Sequence, residues 1–143
     1  MATEKDLAAN SRSRVVFTLI NDLIGKPFKS GGRGPDNYDC WGLAMEVYKR
    51  FGIDLPDFSI CAMDAARIAE EVENQRSQWE RVEGEPPVPS LVLMKLNSRW
   101  NNHVGVYIGQ GRFIHARAKA NSCIDTIDNP RCGAQIEGIY VRR

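Results

Sequence analysis

Residues 37–56 read "NYDCWGLAMEVYKRFGIDLP", and how this stretch folds decides the rest. Leu43, Ala44, Val47 and Phe51 recur at three- and four-residue steps, which predicts a helix from about Cys40 to Phe51 with Gly52 as its stop. Asp39 stands where an acidic cap accepts the first free N–H groups. A thiol follows it directly. Helix starts carry unpaired N–H groups and partial positive charge, and a cysteine there can fall from a pKa of about 8.5 to roughly 3.5–7.5. Cys40 is therefore a candidate nucleophile, and the chain must be searched for its base.

Working outward, residues 4–24 carry Val16, Leu19, Ile20 and Leu23 at helical steps, and Gly25 with Pro27 ends the pattern. The loop "GKPFKSGGRGPDN" (25–37) lacks the GxxxxGK[ST] order of a phosphate cradle. It reads instead as a loop whose backbone approaches something closely. A more polar helix fits about Asp64–Gln75, and "GEPPVP" breaks the chain before its second half. That half reads as strands at Leu91–Leu96, His103–Gly109, Arg112–Arg117, about Cys123–Asp128 and Ile136–Arg142. Helices first and strands afterwards predict one α+β domain over residues 1–143, with an antiparallel sheet.

The chain has 143 residues, with 19 Lys+Arg against 18 Asp+Glu. That balance points away from a nucleic-acid partner. No apolar run is long enough to insert in a membrane, and "MATEKDLAANSRSR" lacks a secretory core, so synthesis and folding in the cytoplasm are expected. Cysteines at 40, 61, 123 and 132 form no CxxC pair and are expected as free thiols, with Cys123–Cys132 the one pairing left open.

Only two histidines exist, both in "NNHVGVYIGQGRFIHAR" (101–117). A two-residue turn at Gln110-Gly111 pairs Val106 with His115 and sends the imidazoles to opposite faces. A three-residue connection, Gly109 to Gly111, pairs Gly105 with His115 and makes His103 and His115 diagonal neighbours on one face. The second register is favoured, with Gly105 leaving room between the rings. Cys40 would then attack as nucleophile, His103 would take its proton and His115 would orient His103. Zinc held by Cys40, His103 and His115 is a lesser alternative.

Three motifs, "GKPFKSGGRGPDNYDCWGL", "FGIDLPD" and "HVGVYIGQGRFIHA", together resemble the NlpC-type cell-wall peptidases, a branch of the papain-like cysteine hydrolases. The resemblance implies helices packed on a five- or six-stranded antiparallel sheet, with Cys40, His103 and His115 catalytic. It places Asp39 at the free amine of a peptidoglycan stem peptide, and Trp41 and Phe28 beside it at positions where other members carry Ser and Tyr. The implied reaction is thiol acyl transfer at the D-glutamyl–diamino acid bond, with no metal or cofactor. "DCWG" looks like variants associated with phage tails, which implies tail proteins as partners and a place in the virion. A tail assembly protein with little hydrolysis, or an amidase or acyltransferase, are the alternatives.

Overall fold

The computed structural model describes residues 4–57, 70–71, 73–96 and 103–143. Helix α1 (Glu4–Ile20) passes into one 3-10 turn (Asn21–Leu23), and helix α2 (Cys40–Arg50) follows the glycine-rich loop. Arg50, in the last turn of α2, donates to Asp22 Oδ1 at 2.7 Å and to the Leu19 carbonyl at 2.9 Å, tying the two segments together. The helix expected at 64–75 lies largely outside the described residues, as does Cys61; residues 70, 71, 73 and 74 are helical.

The second half forms β1 (Trp79–Arg81), β2 (Ser90–Met94), β3 (His103–Gly109), β4 (Arg112–His115), β5 (Cys123–Thr126) and β6 (Ile136–Arg142). They make one six-stranded sheet in the order β1-β6-β2-β3-β4-β5, with every pairing antiparallel. The fold is α+β, as the chain order predicts. The short edge strand β1 was not expected. Three residues are too few to show alternation, and β1 is held by Trp79 lying edge-on to Tyr48 and under Arg142.

Both faces of the sheet are covered, which is why all of "SLVLM" in β2 is buried. Leu91, Leu93, Val104, Val106, Ile108 and Ile114 pack with Leu43, Ala44 and Val47 of α2. Val92, Met94, Tyr107 and Phe113 form a second cluster on the other face, with Cys132 from a one-turn helix, Pro130–Gly133. Each such aliphatic or aromatic side chain contributes about 1.5–3 kcal/mol on burial. The first cluster fixes α2 against β3, and so sets Cys40 beside the first residues of that strand.

Candidate active site

Asp39 ends the glycine-rich loop in extended backbone and caps α2, its Oδ1 accepting the Gly42 N–H at 2.7 Å. Gly31 N–H donates to Oδ2 at 3.0 Å, and Arg33 Nη1 donates to Oδ1 at 2.7 Å. Arg33 also forks onto Asp57. The loop can lie this close because residue 42 has no side chain: a Cβ there would run into the Gly32 carbonyl. That close approach is the role expected of the loop. The Asp39 side chain is 1% exposed. The carboxylate placed by resemblance at a substrate amine is thus committed in this structure to the helix start and to Arg33.

Cys40 is the first residue of α2 and is buried. Its sulfur faces the backbone N–H groups of Val104 and Trp41. Burial pushes the thiol up to about 11, Asp39 adds to the rise, and the two N–H groups oppose it. The acidifying effect expected of a helix start is outweighed by loss of water. Trp41 is half-buried, and its indole N–H donates to the Pro56 carbonyl at 2.9 Å, fastening "IDLP" to the helix start. Phe28 is half-buried against the core, and its backbone bridges to Tyr38.

On the sheet, Gly105 pairs with His115, the register favoured from sequence, but it is reached differently. The turn is Gln110-Gly111 with Gly109 opposite Arg112, and the ladder slips by one residue at Ile108. A bulge, not a three-residue loop, restores the register. Gly105 makes the approach possible, since a Cβ there would stand 3.0 Å from Phe113 Cδ2 and 3.1 Å from His115 Cβ. His103 Nε2 and His115 Nδ1 are 2.9 Å apart, and His115 Nε2 lies 2.7 Å from Asp125 Oδ2.

This chain fixes the protons. Asp125 is held below the ordinary carboxylate value, chiefly by its bond to His115, so it is ionised and accepts the His115 Nε2 proton. His115 Nδ1 is then a lone pair that accepts the His103 Nε2 proton, and His103 keeps a lone pair on Nδ1. Burial holds His103 well below 6.5, with His115 and Arg117 adding to the fall. Burial also lowers His115, against the pull of Asp125. Base and thiol are therefore both neutral. Among the described residues no hydrogen bond joins Cys40 to His103; the thiol meets backbone and His103 meets His115.

Asp125 was not among the residues singled out from sequence. Its signal was the strand expected over 123–128: Cys123 pairs with His115, and two residues on, Asp125 shares that face. The zinc trio is not assembled. Among the described residues, ligand atoms gather within 4.8 Å at His115, Cys123 and Asp125, without Cys40 or His103. Cys123 and Cys132 are free thiols rather than a pair.

A model of the NlpC/P60 family matches residues 25–138, which contain every residue of this arrangement. The chain belongs to the NlpC/P60 family. It is 32% identical over 106 residues to murein DD-endopeptidase MepH of Escherichia coli, covering 73% of this chain and 36% of that one. The chain thus spans about a third of that relative's length. An NlpC/P60 family protein from Bacillus cereus shares the fold at 21% identity with a TM-score of 0.65, covering 92% of this chain and 39% of that one. RipD from Mycobacterium tuberculosis, described as a non-catalytic NlpC/p60 domain protein adapted to peptidoglycan binding, matches with a TM-score of 0.55 at 15% identity, covering 92% of this chain and 96% of that one.

Proposed function

We propose that this NlpC/P60 domain hydrolyses peptidoglycan stem peptides at the D-glutamyl–diamino acid bond, with Cys40 as nucleophile. The observation that carries the reading is the relay from Asp125 through His115 to His103, which leaves a lone pair on His103 Nδ1. The Cys40 Sγ–H gives its proton to that nitrogen as sulfur adds to the glutamyl carbonyl, and N–H groups beside Cys40 receive the oxyanion. His103 returns the proton to the leaving amine, and a thioester remains. Water, deprotonated by the same imidazole, then releases the carboxylate and the thiol. Every step uses the chain's own groups and water. The related MepH is named an endopeptidase, which supports the reaction class.

In the same reading Asp39 meets the stem's free amine, which requires the Gly31–Gly34 loop to open. Oδ2 has one donor, from Gly31, and so retains a lone pair for an ammonium. Free stems should then be cut faster than N-acylated ones, mainly in kcat/KM. The Trp41 variant supports a place in a phage tail, with tail proteins as partners and folding in the cytoplasm beforehand.

The test is cleavage of purified stem peptides by the wild type and by Cys40→Ala. Cleavage should vanish in the variant while its circular dichroism is kept, and a variant that still cleaves removes the mechanism. A second reading, a binding or tail assembly domain with little hydrolysis, is favoured by the buried thiol at about 11. Binding of stems without turnover by the wild type would select it. Turnover of a different amide, with stems left intact, would select an amidase or acyltransferase.

A further inference from the structure

We propose that His115, Cys123, Asp125 and Cys132 form a site for a thiophilic divalent cation, Zn²⁺ above all, and that its occupation disables His103 as a base. The second half rests on the reading of His103 given above; the first half does not.

The ligand atoms of His115, Cys123 and Asp125 lie within 4.8 Å of one another. Asp125 Oδ2 is 2.7 Å from His115 Nε2 and 3.7 Å from Cys123 Sγ, and the buried Cys132 thiol stands beside this group, outside its 4.8 Å cluster. One imidazole and one thiol thus converge on a single acidic group, with a second thiol adjacent. A tetrahedral zinc, with bonds of about 2.3 Å to sulfur and about 2.0 Å to nitrogen, sets its ligand atoms roughly 3.3–3.8 Å apart. His115, Cys123 and Asp125 already lie near that spacing, and Cys132 would turn toward them as the fourth ligand. Two thiolates, an imidazole and a carboxylate suit zinc, whereas Ca²⁺ and Mg²⁺ need oxygen donors. Arg117 lies near both thiols and offsets the negative charge that two thiolates bring. The Asp125 side chain is 31% exposed, which gives an ion a route in from solvent.

Occupation has a defined consequence. The two thiols release one proton each as they bind. Zinc takes the lone pair of His115 Nε2, so the proton of that ring must sit on Nδ1. His115 Nδ1–H then donates to His103 Nε2, which must present a lone pair, and the proton of His103 moves to Nδ1. Each ring still holds one proton. The nitrogen that was to accept the Cys40 proton no longer has a lone pair for it.

The test uses the full chain, reduced and metal-free. Titration with Co²⁺ should produce a thiolate-to-metal charge-transfer band at one ion per chain, bleached by Zn²⁺. Cys123→Ser and Cys132→Ser should each weaken or remove it. On adding Zn²⁺, the ¹⁵N resonance of His115 Nε2 in the unmutated chain should move to a metal-bound position, a readout that needs no variant to fold. Zinc should suppress stem cleavage by roughly 100-fold or more, as expected of a base in the wrong tautomer, and EDTA should restore it. The double Ser variant should cleave like wild type with or without zinc. No thiolate band at saturating Co²⁺, or an unchanged band in the double variant, overturns the site. Binding that leaves cleavage intact overturns the switch alone. If the wild type cleaves nothing, the Co²⁺ and ¹⁵N readouts still decide the site.

Discussion

Two aspartates flank the candidate site, and their surroundings give them different work. Asp39 is sealed, its oxygens accepting from Gly31, Gly42 and Arg33. Asp125 is partly open and touches the His115 imidazole and the Cys123 thiol. The first carboxylate closes a helix start and a loop, so its removal is felt as lost folding energy. The second decides where protons sit on two rings, so under the proposed mechanism its removal is expected as lost rate. A charge held by two backbone donors and an arginine acts first on folding, whereas one aimed at a titratable ring acts on where protons sit.

The largest expected effect tests the second half of that contrast. Asp125→Asn keeps the shape but offers an amide N–H to His115 Nε2, which reverses both tautomers. By analogy with a serine-protease triad given the wrong tautomer, kcat should fall by about 10²–10⁴-fold, with a small change in melting temperature. The ¹⁵N spectrum should show protonation on the opposite nitrogen of each ring, which a merely structural role would not produce. An Asn variant with wild-type kcat breaks the comparison from this side.

Asp39→Ala tests the other half. It removes the cap and one of the two carboxylates that hold Arg33, and should cost about 2–4 kcal/mol in denaturant unfolding. Asp57 still holds Arg33, which keeps the loss from being larger. An undiminished unfolding free energy would show that Asp39 is no keystone of the helix start.

The same contrast explains what could be read in advance. The helix side is local: the cap, the stripe of Leu43, Ala44 and Val47, and the stop at Gly52 lie within one short segment, and the structure reproduces them. The sheet side depends on register. The shared face of His103 and His115 was legible because glycines mark the hairpin, but the bulge at Ile108 was not, since no residue type specifies it. Asp125 was hidden by distance, because its partner is ten residues away on another strand. The direction of the Cys40 shift also failed, since burial by β3 is a tertiary fact that a helix-start argument omits.

A smaller effect separates the regions by pH. His103 and His115 both have folded values below the ordinary 6.5. As pH falls, the unfolded chain takes up these protons first, so the stability they support is complete above about 6.5 and is lost as pH drops from there toward the folded values. Asp125 is held below its ordinary 3.8, so its contribution persists above that value and is lost only in a lower window. Thermal unfolding should therefore be level near neutrality and decline below about pH 6.5. His103→Gln should flatten that decline, and a variant as acid-sensitive as wild type would show that the buried imidazole is not its source.

The smallest effect concerns the turn that sets the histidine register. Gln110 and Gly111 have φ of 52° and 70°, the left-handed pair of a type I′ turn, and Gly109 precedes them at 99°. Glycine meets this demand freely, but Gln110 is an L-residue with no local hydrogen bond of the kind that eases Asn into the same conformation. Its amide oxygen accepts from Arg112 at 2.9 Å, an exposed contact that returns little. Gln110→Asn should therefore stabilise the chain by about 0.5–1 kcal/mol and leave kcat unchanged, because the bulge at Ile108 and the Gly105–His115 pair lie further along the ladder. A rise in stability with a fall in kcat would mean that turn and bulge move together. The histidine register would then be held by the hairpin end, and not by the packing of Phe113 and His115 over Gly105.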